Sequence, residues 1–115
     1  MVVSVDFDGT ITKSSDFNND GFNVIRPGCK KAMQELTKIG VQFVLLTGRS
    51  PEWVGEAVRL CQEWALPIDV STPNTKRITD IYIDDKNLGC TGIDWKVIYR
   101  QIYALAYLER RNKKI

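Results

Sequence analysis

Short apolar runs alternate along the chain with longer amphipathic stretches. Val2 to Phe7 is apolar apart from Ser4 and Asp6 and reads as a first strand. Residues 11–27 are polar and irregular, with a turn signal at Asn18-Asn19-Asp20-Gly21. Pro27-Gly28 opens a helix whose apolar face carries Ala32, Met33, Leu36 and Ile39, and Gly40 ends it. Val41 to Leu46 is a near-continuous apolar run, the mark of a strand covered on both faces. Ser50-Pro51-Glu52 is a helix start: a capping residue, a proline in the first turn, then an acid. Val54, Ala57, Val58, Cys61 and Trp64 give that helix its buried stripe. Trp53, Trp64 and Trp95 all lie near helical stripes and read as core. Ile68 to Ser71 and Ile78 to Ile83 read as two further strands, the second ending in Asp84-Asp85. Asp94 caps a last helix from Trp95 to about residue 110.

Strands alternating with helices imply an α/β fold with a mainly parallel sheet. A length of 115 residues suits a single domain over residues 1–115, and 43% hydrophobic residues suffice for a core. No stretch approaches membrane-spanning length, and no charged segment leads into an apolar leader. A net charge of +2 gives no electrostatic case for nucleic acid or a membrane. Cys29, Cys61 and Cys90 have no metal-ligand spacing and read as reduced thiols of a cytoplasmic protein. The chain has no histidine. That excludes a Ser-His-Asp or Cys-His triad and any His-ligated zinc, and leaves acid–base work to carboxylates, lysine, tyrosine or cysteine.

The chemistry concentrates where apolar runs end. Asp6-Phe7-Asp8-Gly9-Thr10 places two carboxylates two residues apart at the carboxyl end of a buried strand. An unpaired charge there costs several kcal/mol, roughly, unless something compensates it. A bound cation is one compensation, and Mg²⁺ prefers hard oxygen ligands. Gly9 lets the backbone turn sharply without a Cβ penalty. Thr47-Gly48-Arg49 follows Val44-Leu45-Leu46, Lys76 lies in the loop from Pro73 to Arg77, and Asp84-Asp85 follows Ile81-Tyr82-Ile83. A parallel sheet gathers its strand ends along one edge, so these groups converge.

The set resembles the haloacid dehalogenase-like superfamily of phosphotransferases. The first motif of that superfamily, DxDx[TV], is matched by Asp6 to Thr10, and its Ser/Thr after an apolar strand by Thr47. Its lysine is matched best by Lys76, with Arg77 and Lys86 as rivals. Arg77 stands where the family often has proline. Its late acidic pair is matched by Asp84-Asp85. The resemblance implies a Rossmann-like three-layer sandwich and Mg²⁺-dependent hydrolysis of phosphomonoesters. Asp6 would be the nucleophile that forms an aspartyl-phosphate, and Asp8 the general acid, then base. Mg²⁺ would be held by Asp6, the backbone carbonyl of Asp8, and Asp84 or Asp85. Gly9, Thr10, Thr47, the Gly48 amide, Arg49 and Lys76 would meet the phosphate. Dehalogenases of the family lack the second acid of the first motif. Keeping Asp8 favours transfer to and from oxygen.

The segments between motifs are too short for the family's cap domains, so the resemblance implies a capless member with residues 11–26 as a flap. The substrate is then either bulky enough to close the site itself, or a small phosphomonoester covered by a neighbouring subunit in a homo-oligomer. The last helix is apolar over much of its circumference, through Tyr99, Ile102, Tyr103, Leu105 and Ala106, which suits a packed helix or a subunit interface. Two readings compete with the phosphatase. A phospho-receiver domain carries its adjacent acidic pair early, whereas here the pair comes late. A catalytically idle binding or assembly protein on the same fold is the other.

Overall fold

The computed structural model describes residues 1–84 and 92–113. Its centre is a four-stranded, all-parallel sheet of β1 (Val2–Asp6), β2 (Gln42–Leu46), β3 (Ile68–Asp69) and β4 (Ile81–Ile83), in the order β3-β2-β1-β4. Helices α1 (Cys29–Lys38), α2 (Pro51–Glu63) and α3 (Trp95–Lys113) flank it. The fold is α/β, and no inserted domain interrupts it among the described residues.

Successive strand side chains point to opposite faces. Val3, Val5, Phe43, Leu45 and Ile83 join one buried cluster with Cys29, Met33 and Leu36 of α1, Ala57 and Cys61 of α2, and Trp95, Ile98 and Ile102 of α3. Ser4 and Val44 face the other way and are buried as well. There the Thr79 hydroxyl donates to Ser4 Oγ at 3.0 Å, so at Ser4 the opposite face is covered by the segment between β3 and β4. Double coverage is why these strands read as nearly unbroken apolar runs.

Local chemistry sets the boundaries. The chain leaves α1 through Gly40 at φ 96°, a left-handed conformation that suits glycine. Pro51 is the first residue of α2, though Ser50 at its start makes no side-chain capping bond. Asp94 does cap α3, its Oδ1 accepting from Lys96 N–H at 2.9 Å. β4 is shorter than its apolar run. Ile78 is fully exposed, and Asp80 pairs with the start of β1, its carboxylate accepting from Val2 N–H at 2.7 Å. Trp95 and Trp64 pack as the stripes predict, but Trp53 stands 51% exposed at the start of α2.

Candidate active site

The turn after β1 is built to aim its carboxylates. Residues Phe7–Ile11 form one kinked helical turn, with Gly9 at φ 77°. Gly9 N–H donates to Thr12 Oγ1 at 3.0 Å. Arg26 then straps the turn from outside, its Nη2 donating to the Gly9 carbonyl at 2.8 Å and its Nε to the Thr12 carbonyl at 3.0 Å. From α3, Trp95 Nε1 donates to the Thr10 carbonyl at 3.0 Å. Satisfying these carbonyls fixes a buried turn that no ladder could hold. Arg26, Thr12 and Trp95 carry no motif, and only the tertiary arrangement shows what they do.

Beyond the strand ends lies an open cleft of about 520 Å³. Asp6, Thr47, Gly48, Lys76 and Asp84 line it, together with Ser4, Asn74 and Tyr82. Four segments far apart in sequence thus meet at one sheet edge, as the parallel topology requires. Two hydrogen bonds seat the lysine loop. Thr47 N–H donates to the Pro73 carbonyl at 2.7 Å, and Asn74 Nδ2 donates to the Arg49 carbonyl at 3.0 Å. Lys76 Nζ sits 5.1 Å from the centre of the Tyr82 ring. Its rival Arg77 instead pairs with Asp69, Nη1 to Oδ2 at 3.0 Å. Asp85 and Lys86 lie outside the described residues.

Not every candidate reaches the cleft. Asp8 turns away from it toward Arg49. Arg49 Nε donates to Asp8 Oδ2 at 2.8 Å and Nη2 to Oδ1 at 2.7 Å, a two-bonded fork. Arg49 Nη2 also donates to Asn23 Oδ1 at 2.6 Å, and Nη1 stands 3.6 Å from Glu56, an ionic contact beyond hydrogen-bond reach. The guanidinium carbon lies 4.9 Å from the Phe7 ring centre and 5.0 Å from that of Phe22. The bond to Asp8 is the main cause that raises the Arg49 pKa above its ordinary value. Arg49, read from the sequence as a phosphate contact, is therefore a carboxylate clamp here. Asn23 and Glu56, its other partners, had no sequence signal. Thr10 is wholly buried rather than facing the cleft, and its hydroxyl has no hydrogen-bond partner among the described residues. The Gly9 amide is already taken by Thr12.

The donor set bears on a metal. No group of three or more carboxylate, cysteine or histidine side chains converges among the described residues. Asp6 and Asp84 nevertheless share the cleft, and Mg²⁺ commonly takes one or two carboxylates, filling its shell with water and substrate oxygens. The residues present fit such an ion. Cleft and donors together suit an oxyanion: two carboxylates for a cation, and an ammonium, a hydroxyl and an amide for the anion.

No protein-family model matches the chain, and no curated protein matches it. Among solved structures it is similar to a conserved protein from Bacteroides thetaiotaomicron, at 28% identity over 90% of each chain and a TM-score of 0.71. That likeness supports the α/β fold.

Proposed function

We propose that the protein hydrolyses phosphomonoesters with Mg²⁺. The observation that carries this reading is the meeting of Asp6, Thr47, Gly48, Lys76 and Asp84 around one open cleft at the strand ends. Phosphoryl transfer needs positioning and charge neutralisation above all, and this set supplies both. Asp6 attacks phosphorus, the bond to the leaving oxygen breaks, and Asp8 protonates that oxygen. Asp8 then takes a proton from water. The water oxygen attacks phosphorus, the bond to Asp6 breaks, and inorganic phosphate leaves. Lys76, Thr47 and the Gly48 amide hold the phosphoryl oxygens throughout. A Mg²⁺ held by Asp6 and Asp84 would supply charge neutralisation between nucleophile and phosphate. For Asp8 to act, at least one of its oxygens must leave the Arg49 fork.

That fork is also what favours a second reading, in which the site binds phosphate without turning it over. Hydrolysis of para-nitrophenyl phosphate with Mg²⁺ and with EDTA decides between them. The proposal expects turnover that needs the metal and disappears in Asp6→Asn. A fully active Asp6→Asn protein would overturn the mechanism.

A further inference from the structure

Cations and tyrosines gather along one surface groove that is separate from the strand-end cleft. α1 and α3 pack along one another, and two cavities open between them. One, of about 520 Å³, is lined by Lys31 of α1 and by Lys96, Tyr99 and Arg100 of α3, with Ala32 and Trp95 beneath. The other, of about 370 Å³, is lined by Ile39, just past α1, and by Tyr103, Tyr107, Arg110 and Arg111 of α3. The Tyr99 and Tyr103 rings, 5.9 Å apart and tilted by 38°, join the two cavities into one track. Neither cavity shares a lining residue with the cleft.

Tyr99, Tyr103 and Tyr107 recur at every fourth residue, so one helix face carries three rings about 6 Å apart along its axis. Tyr103 is 45% exposed and Tyr107 59%. The five lining cations make no ion pair with another described residue. The acid among the lining residues, Glu35, is bonded to Lys38 at 3.1 Å, and Glu109 bridges to the Met1 amino group at 3.4 Å. Helix stability does not account for these cations. Arg110 and Arg111, near the carboxyl end of α3, suit the helix dipole. Lys31 and Lys96 lie in the first turns of their helices, where the dipole disfavours a cation and neither helix has an acid. A bound anion would offset that cost. The net charge of +2 averages over the whole molecule and conceals the strip.

Rings interleaved with guanidinium and ammonium groups match a chain that alternates bases with phosphates. Every base has a π-face to lay on a tyrosine, provided that it is unpaired; the bases of a duplex are already stacked on one another. The rings line concave cavities instead of projecting as one apolar plane, which suits bases better than a bilayer. We infer that the groove between α1 and α3 binds single-stranded nucleic acid, with bases on the tyrosines and phosphates on the cations. This inference does not rest on the phosphatase reading.

The probe is a fluorescent oligothymidylate of about 12 nucleotides without a terminal phosphate, so that the cleft has no monoester to take. Fluorescence anisotropy with the full chain, in EDTA, should show binding. Its log K should fall against log salt with a slope of about −3 when all five cations engage. Tyr103→Ala and Tyr107→Ala should each weaken binding roughly five- to a hundred-fold. Tyr107→Phe should keep it, since stacking needs the ring and not the hydroxyl. Arg100→Gln should weaken it and flatten the salt slope by about 0.7. No binding, binding that both alanine variants leave untouched, or equal affinity for a duplex of the same length would overturn the inference. So would a wild-type protein that sediments with phosphatidylserine vesicles and ignores the oligomer, which would assign the strip to a membrane instead.

Discussion

Replacing Arg49 with alanine should destabilise the fold more than any change at the cleft itself. The Arg49 side chain is only 7% exposed, and its removal strands Asp8, 22% exposed, and Glu56, 34% exposed, without their shared cation. Removing one partner of a buried pair costs about 3–5 kcal/mol. The partial exposure of both carboxylates discounts this, and the lost ring contacts with Phe7 and Phe22 restore some of it, about 0.5–1 kcal/mol each. The balance is a loss of about 3 kcal/mol. With about 2.1 cal/mol/K of unfolding entropy per residue over 115 residues, that lowers Tm by about 12 °C. Arg49→Lys keeps the charge but not the fork, and should lose about half as much. Thermal unfolding followed by circular dichroism measures both. A shift below about 4 °C in Arg49→Ala, or a lysine variant equal to the wild type, would show that the fork does not hold the flap and the acidic turn together.

Other residues give narrower tests. Trp95→Phe keeps most of the ring but removes the donor to the buried Thr10 carbonyl, and should cost about 1–3 kcal/mol in urea unfolding; an unchanged midpoint would contradict the strap from α3. Ser71, through its hydroxyl and N–H, and then Arg77, lower the Asp69 pKa from 3.8 to about 2. A depressed carboxylate stabilises the fold above its unfolded pKa and loses that contribution as pH falls through the folded value. Stability should therefore drop between about pH 4 and about pH 2, and Asp69→Asn should flatten that part of the urea-midpoint profile. Burial pushes the Cys29 and Cys61 thiols up to about 12. In a Cys90→Ser background, a thiol reagent at about pH 8 should label neither until denaturant is added, and labelling of the folded protein would show that the core opens there.

What the sequence makes legible is whatever short range decides. The apolar runs mark β1 and β2 because both faces of those strands are covered, and Pro51 and Asp94 start their helices where local capping chemistry says they should. The convergence of Asp6, Thr47, Lys76 and Asp84 is legible too, since a parallel sheet leaves no other place for strand ends. The partner of Arg49 is not. A guanidinium fits a phosphate and a carboxylate equally well, and the choice falls to Asp8, 41 residues away, which only folding brings near. Trp53 misleads for a related reason. Its spacing suits a buried stripe, yet the flap gives it Phe17 as a neighbour at the surface. β4 starts late because Asp80, a side chain inside an apolar run, takes the first N–H of β1.

The central claim is that Asp6 carries the phosphoryl group, and trapping that group tests it most directly. Asp8→Asn protein, mixed with para-nitrophenyl phosphate and Mg²⁺, quenched in acid and weighed intact, should carry one phosphoryl adduct, with the modified peptide containing Asp6. The adduct should be absent in Asp6→Asn and in EDTA. An adduct that persists without Asp6, or turnover in a protein that never forms one, would contradict the account.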